Sequence, residues 1–389
     1  MLYWLFQWLL EDRPYAYKSP LFRAALAVLV AFGVVWWMGP WVIRLLTRLK
    51  IGDRPEFDHA TLNQLNHGKT DTPTMGGVLI VAAIAVSALL LADLSNFYLV
   101  LGLFCLVWLA ALGGFDDWLK LTAARRVGTR DGLKKWEKLV FQTALGVLLA
   151  IFVFRSGDVT SQLDRWTDLE AAYSPYWNVL SIPFYKGEPL ADGFWGVRLP
   201  LWLFALITVL VVAGTSNAVN LTDGMDGLAS GCVVMTAGAF LVLSHVVGDP
   251  ELSRGLLLFH ISGAGELAVL CGAIVGSCLG FLWYNGYPAR VFMGDTGSLP
   301  LGGLIGYVAI VTRQELMLLI IGGVFVIEAL SVLIQVTTFR LMNGKRFFRC
   351  TPIHHHFHLG GWTETQVVMR FWLLGALFAA FGLATLKLR

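Results

Sequence analysis

Phe97-Tyr-Leu-Val-Leu-Gly-Leu-Phe-Cys-Leu-Val-Trp-Leu-Ala-Ala-Leu-Gly-Gly114 runs without a charge and then meets Phe115-Asp116-Asp117. About 20 mainly apolar residues cross the roughly 30 Å of a bilayer's hydrocarbon, so the stretch reads as a membrane helix with a doubled carboxylate at its end. A carboxylate beside the bilayer is costly unless it is paired, hydrated or functional. Two further acidic stretches sit at the ends of other apolar runs: Asn220-Leu-Thr-Asp223-Gly-Met-Asp226-Gly227 and Met293-Gly-Asp295-Thr-Gly-Ser298. Acids that converge at a membrane surface make a cation site, and a cation there suits chemistry on a charged, lipid-linked substrate.

The rest of the chain has the same character. Hydrophobic residues make up 57% and charged residues 14%, against roughly a quarter charged in soluble domains, and the mean hydropathy is +0.67. Apolar runs long enough to span recur near 22–43, 75–92, 97–114, 139–154, 199–215, 228–247, 265–283, 299–311, 316–339 and 367–386. The fold class is therefore all-α: a polytopic integral membrane protein of about ten transmembrane helices, with residues 1–389 forming a single transmembrane domain. The ninth run is long enough to be tilted or bent. Met1–Leu10 is too short to span and reads as an interfacial anchor. The five cysteines lack metal spacing and read as small core residues.

Lys and Arg gather in cytoplasmic loops. Ten crossings place the loops near 44–74, 115–138, 216–227, 284–298 and 340–366 on one side. The second carries Lys120, Arg125, Arg126, Arg130, Lys134, Lys135 and Lys138, and the fifth Arg340, Lys345, Arg346 and Arg349. That side is expected to be cytoplasmic, with both termini and the acidic 155–198 loop outside. The 155–198 loop reads as an external cap with a short hairpin or helix. Every acidic cluster then falls on the cytoplasmic side.

Adjacent helical residues point about 100° apart, so Asp116 and Asp117 can hold two roles, with Lys120 in reach of either. Asn217, Asn220, Asp223 and Asp226 lie in a polar, flexible stretch that offers oxygens to a hard cation or hydrogen bonds to a sugar and base. This stretch lacks the acid at the twelfth position that a calcium loop uses. In the fourth loop Phe292 can stack on a flat base and Asp295 can take a metal, while Gly294 and Gly297 admit a phosphate to the backbone. The successive His354, His355 and His356 do not suit zinc, because consecutive residues seldom converge on one metal. Beside Arg346 and Arg349 they form a cationic, hydrogen-bonding edge for a phosphate or diphosphate. Glu328, deep in the ninth run, either pairs internally or serves lipid entry. Acids for Mg²⁺, bases for phosphates and an aromatic for a nucleobase are the inventory of phosphoryl transfer.

Asp71-Thr-Pro-Thr-Met-Gly-Gly77, Phe115-Asp-Asp117, Asn217-Ala-Val-Asn-Leu-Thr-Asp-Gly-Met-Asp-Gly227, Val291-Phe-Met-Gly-Asp-Thr-Gly-Ser298, Pro352-Ile-His-His-His356 and Gly382-Leu-Ala-Thr-Leu-Lys387 together resemble the phospho-N-acetylmuramoyl-pentapeptide transferases, a branch of the polyprenyl-phosphate hexosamine-1-phosphate transferase superfamily. The acidic motifs carry the superfamily, and the triple-His loop with Thr-Pro-Thr-Met-Gly-Gly carries the branch. The resemblance implies ten transmembrane helices in the bacterial inner membrane and dependence on Mg²⁺. It also implies transfer of phospho-MurNAc-pentapeptide from UDP-MurNAc-pentapeptide to undecaprenyl phosphate, giving lipid I and UMP. By motif, Asp116, Asp117 and Asp295 are the essential acids, with Asp295 the best metal ligand and Asp117 a second. Lys69, Asn220, Asp223, Gly224, Met225, Asp226, Asn285 and Phe292 line the nucleotide site, and His354, His355 and His356 the sugar-phosphate side. His358 stands where the family pattern suggests an acid, and the 155–198 loop is long.

In the expected mechanism a lipid phosphate oxygen attacks the sugar-bearing phosphorus in line. Lys120 and Lys138 share the diphosphate's charge with the metal, and Asp116 or Asp117 orients or deprotonates the acceptor. The expected partners are the UDP-sugar, undecaprenyl phosphate and membrane lipid, with no nucleic acid; a homodimer is left open. A sister enzyme using UDP-GlcNAc shares the acidic loops. A transporter would gather its polar residues at the midplane, whereas here they gather at one surface.

Overall fold

The computed structural model describes residues 1–10, 16–49, 72–126, 132–167, 178–184, 196–342 and 344–388. Lys69, most of the 44–74 loop and much of the 155–198 loop lie outside the described residues. Among the described residues eight helices are long and apolar enough to cross a membrane: α2 (Pro20–Arg48), α4 (Phe97–Arg126), α5 (Lys135–Thr167), α6 (Leu201–Thr222), α7 (Leu228–Gly248), α9 (Glu266–Asn285), α12 (Gly323–Leu341) and α14 (Glu364–Ala384). Two shorter apolar helices, α3 (Gly77–Leu91) and α10 (Asp295–Val311), complete the ten runs read from the sequence. Four small helices join them: α1 (Leu2–Leu10), α8 (Pro250–Gly255), α11 (Glu315–Ile321) and α13 (Ile353–Leu359). The protein is a polytopic all-α membrane protein.

The ninth run is broken. It forms α11 and α12, parted at Gly322 and Gly323, a pair of poor helix formers. A side chain on Gly323 would meet the Phe378 ring at 2.8 Å, so α14 packs closely against the break.

The core is centred on α10, in which all seventeen residues are buried. At 1.5 Å per residue α10 is about 25 Å long, shorter than the roughly 30 Å hydrocarbon layer, and Asp295 at its start is buried. Two glycines bring its neighbours close. A Cβ on Gly113 of α4 would run into the Asp295 carbonyl, and one on Gly302 of α10 into the Thr215 carbonyl of α6. Such contacts replace the hydrophobic drive that is missing between helices in lipid.

At the opposite end the bundle is stapled by a pair that the hydropathy pattern hides. Both outer nitrogens of Arg23 on α2 bond Glu266 on α9, at 2.7 and 2.5 Å, and the Asp93 N–H donates to the same carboxylate at 2.9 Å. Within the 155–198 segment α5 continues to Thr167, and β1 (Val179–Leu180) pairs antiparallel with β2 (Val197–Arg198). Cys105, Cys232, Cys271 and Cys278 are buried free thiols and Cys350 is half-buried.

Candidate active site

Asp116 and Asp117 do not end their helix. The structure carries α4 on to Arg126, so the expected loop at 115–138 is helical for its first half. Helical spacing then puts Lys120 over both acids, with Nζ 2.7 Å from Asp116 Oδ2 and 3.8 Å from Asp117 Oδ1. The 216–227 segment is likewise no flexible stretch at its start, because α6 runs to Thr222 and carries Asn217 and Asn220 on its last turns. In both places hydropathy marks an end where buried partners let the helix continue.

Asp295 opens α10 after Gly294, whose φ of +72° favours glycine. Its Oδ1 accepts from Asn220 Nδ2 at 2.8 Å. Its Oδ2 meets Lys138 Nζ at 2.6 Å and Lys120 Nζ at 3.3 Å. Lys138, near the start of α5, also reaches Asp116 Oδ2 at 2.7 Å, and the other oxygen of Asp116 accepts from the Leu133 N–H at 2.7 Å. Asp117 accepts from the backbone N–H groups of Asp295 and Thr296 at 3.2 and 2.9 Å, and from the Thr296 hydroxyl at 2.7 Å. It thus caps α10 from another helix. Three carboxylates and two ammonium groups therefore meet at one point, and the carboxylates of Asp116, Asp117 and Asp295 each offer an oxygen within 4.8 Å of the others. Oxygen donors so close together suit a hard divalent cation. Asp117 is committed to the helix start, whereas the oxygens of Asp295 face side chains: Asn220, Lys138 and Lys120.

Beside this cluster two loops are stapled together. Asn285 accepts from the Gly227 N–H at 3.0 Å and donates to the Val291 carbonyl at 2.9 Å. Asp226 accepts from the Ala289 N–H at 3.0 Å, while its own N–H donates to Glu364 at 3.0 Å. These two expected nucleotide-site residues are thus turned into the loop framework. Asp223 is half-buried beside the cluster. Burial, then the charges of Asp295 and Asp117, push its carboxyl from 3.8 up to about 7, against the pull of the Gly294 amide. Gly224 is exposed, Met225 buried and Phe292 half-buried. The Phe292 backbone is held by the Thr-Pro-Thr-Met-Gly-Gly segment: its N–H donates to the Pro73 carbonyl and its carbonyl accepts from Gly76, both at 2.8 Å.

The histidines lie on α13. His354 is buried, with Nδ1 3.0 Å from Glu328 Oε1, so Glu328 pairs internally and His354 turns away from the exposed edge expected of it. His355 is buried against it, ring centroids 4.1 Å apart. His356 Nδ1 accepts from the Arg349 N–H at 3.1 Å. A side chain on Gly224 would strike His354 and approach His355 Nε2 at 3.4 Å, so α13 abuts the acidic loop. His358 bonds the Trp362 carbonyl.

Sequence reasoning passed over one buried network. Gln142 Nε2 donates to Ser216 Oγ at 3.1 Å and its Oε1 accepts from Asn217 at 2.7 Å, while Ser216 Oγ donates to the Leu299 carbonyl at 3.0 Å. Each of Gln142, Ser216 and Leu299 lies one helical turn below Lys138, Asn220 and Asp295 respectively. The signal was an amide inside the apolar run of α5.

A helical membrane bundle with a cluster of three carboxylates and two ammonium groups at one end has the make-up of a membrane-embedded enzyme, and known proteins specify which. The model of glycosyl transferase family 4 matches residues 98–313, and phospho-N-acetylmuramoyl-pentapeptide-transferase signature 1 matches residues 69–81. A phospho-N-acetylmuramoyl-pentapeptide-transferase of Protochlamydia amoebophila (strain UWE25) is 41% identical over 392 residues, covering 94% of this chain and 93% of that protein. The chain belongs to glycosyl transferase family 4 and, more narrowly, to the phospho-N-acetylmuramoyl-pentapeptide-transferases.

Proposed function

We propose that this chain transfers phospho-MurNAc-pentapeptide from UDP-MurNAc-pentapeptide to undecaprenyl phosphate, releasing UMP and forming lipid I, the first membrane step of peptidoglycan synthesis. The observation that carries the reading is the depth of the charged cluster. Trp118, Trp136 and Trp283, all exposed, stand beside Asp117, Lys138 and Asn285 on α4, α5 and α9, and exposed tryptophans favour the headgroup level of a bilayer. A lipid-borne phosphate lies at that level, where a soluble nucleotide can also reach it.

Lys120 and Lys138 are set to neutralise the phosphates that meet there, and Asn220 orients Asp295. Asp295, with Asp116 and Asp117 beside it, would hold Mg²⁺, which supplies charge neutralisation on the diphosphate when bound. Asp116 or Asp117 is proposed to orient or deprotonate the acceptor phosphate, whose second pKa is about 6. Asp223, Gly224, Met225, Asp226, Asn285 and Phe292, with Lys69, are proposed to line the nucleotide site, three of them through the loop framework. The cluster is proposed to face the cytoplasm of a bacterial inner membrane, on the side of the basic loops. The 41% identical relative and the signature at 69–81 favour the muramoyl donor over UDP-GlcNAc.

The deciding experiment gives purified protein undecaprenyl phosphate with either UDP-MurNAc-pentapeptide or UDP-GlcNAc, with and without Mg²⁺. Release of UMP from the first donor alone, and only with the metal, is expected. Turnover of UDP-GlcNAc instead overturns the donor, and full turnover in chelator overturns the metal.

A further inference from the structure

The last helix, α14, grips the turn between α6 and α7 at two points, although the transfer chemistry gives α14 no role. Glu364 Oε1 accepts from the Asp226 N–H at 3.0 Å, and the Trp372 indole N–H donates to the Gly227 carbonyl at 3.2 Å. Neither bond is needed to pack the helix. The start of α14 is already closed by Thr363 and Gln366, each side chain accepting the other's backbone N–H, so Glu364 is not required as a cap. The Gly227 carbonyl already receives the Gly231 N–H at 3.0 Å as the first bond of α7, and the indole brings it a second donor. A phenylalanine at 372 would fill much the same space without an N–H that needs a partner. Gly231 in turn leaves room for the indole, which a Cβ there would overlap. From the other side the turn is held by Asn285, which accepts from the Gly227 N–H, and by the Ala289 N–H, which donates to the Asp226 carboxylate, both at 3.0 Å. Gly227 itself stands at a φ of +80°, with its N–H and carbonyl both taken by side chains of other helices.

We propose that Trp372 and Glu364 are positioning residues for the donor nucleotide, acting through the Asp223–Gly227 turn. Pinned by α14 at Asp226 and Gly227, the turn is clamped against α9 and cannot rock away from the charged cluster. Asp223, whose carboxyl takes the Gly294 amide, and the exposed Gly224 are then presented at a fixed distance from Asp295. A nucleotide laid on the turn thereby brings its diphosphate to the acids and lysines in one register. The two α14 side chains act on the turn and not on the nucleotide. The inference rests on the transferase reading, and the two fail separately: a wild-type protein inert toward UDP-MurNAc-pentapeptide sinks that reading, whereas the variants below address α14 alone.

The test compares Trp372→Phe, Glu364→Ala, Glu364→Gln and the Glu364→Ala/Trp372→Phe double variant of the full chain in detergent, with kcat and the Km for each substrate measured. Trp372→Phe and Glu364→Ala are each expected to raise the donor Km about 5-fold, well below the roughly 10²-fold cost of misplacing reacting groups by about 1 Å. The acceptor Km and kcat are expected to stay near wild type, the mark of lost donor binding alone. The melting temperature is expected to move little, since an interhelical hydrogen bond in a membrane is worth little. Glu364→Gln, which keeps an oxygen for the Asp226 N–H, is expected to restore most of the donor Km. The double variant is expected to lose less than the product of the single losses, because one turn is released only once. An unchanged donor Km in either Trp372→Phe or Glu364→Ala overturns the proposal. So does a fall in melting temperature with both Km values moving together, or a Glu364→Gln variant no better than Glu364→Ala, since neither fits a turn positioned by these bonds.

Discussion

Asp117 reaches across from α4 to cap the helix that carries Asp295, its Oδ2 accepting from the Thr296 N–H at 2.9 Å and the Thr296 hydroxyl at 2.7 Å. One doubled-acid motif therefore holds two unlike groups: Asp116 sits between Lys120 and Lys138, and Asp117 faces backbone amides. A negative charge at a helix N-terminus is stabilising. Asp117→Ala is expected to lower stability by about 1 kcal/mol, the usual cost of deleting a helix-cap side chain, and to cut turnover as Asp295 shifts. Asp295→Asn is expected to abolish turnover over a wide Mg²⁺ range, since it removes a charged oxygen from a hard cation. Melting curves and UMP release on both variants check the contrast. Equal melting temperature in Asp117→Ala and wild type would remove the capping role.

The same closeness between helices sets a steric test. A Cβ on Gly113 would collide with the Asp295 carbonyl, whereas one on Gly114 would meet the Thr296 side chain only at 3.7 Å, an ordinary contact. Gly113→Ala is expected to displace the start of α10 and cost at least about 10²-fold in activity, in line with the penalty for misplacing a reacting group by about 1 Å. Gly114→Ala is expected to stay within a few-fold of wild type. Similar activities for the two variants would mean that the recess is not held by this contact.

The carboxyl of Asp223 is pushed from 3.8 to about 7, so between those values the folded protein binds more protons than the unfolded chain. Stability then falls as pH rises through that window and is fully present only below it. In metal-free buffer the melting temperature is expected to drop from pH 5 to pH 8 in wild type, and Asp223→Asn is expected to flatten the slope. A steeper slope in the variant would contradict the sign.

The polytopic helical class and the rough positions of the apolar helices were readable because hydropathy reports the lipid's demand residue by residue. Helix ends were not. Asp116, Asp117, Lys120, Asn217 and Asn220 look like loop residues in a hydropathy trace, yet each is satisfied by a partner on another helix, so the backbone stays helical. Pairing across the fold was hidden for the same reason: nothing in the sequence ties Glu328 to His354 or Arg23 to Glu266. The residue types of the site were visible, since two lysines, three acids and a glycine-flanked loop announce phosphate chemistry. Their division of labour depends on distances.

The proposed orientation rests on the basic loops. With native cysteines replaced, single cysteines at Arg126 and Gly344 are expected to resist an impermeant thiol reagent in intact cells, and one at Asp164 to label. Labelling of the first two from outside would place the cluster on the wrong face for a soluble nucleotide donor.

Gln142 offers the last test, because it joins α5 to α6 one turn beneath the charged groups and Ser216 passes the connection to α10. Lys138 must meet Asp116 and Asp295 at once, at 2.7 and 2.6 Å, which requires α5 and α10 to keep a fixed register. Gln142→Leu leaves no orphaned group: Asn217 still donates to the Ala213 carbonyl and Ser216 to Leu299. Interhelical hydrogen bonds in membranes average only about 0.6 kcal/mol, so the melting temperature is expected to move little. Turnover is expected to fall about 10-fold, because catalysis is more sensitive to sub-ångström placement than stability is. Wild-type turnover in Gln142→Leu would show that the register is set by glycine packing alone.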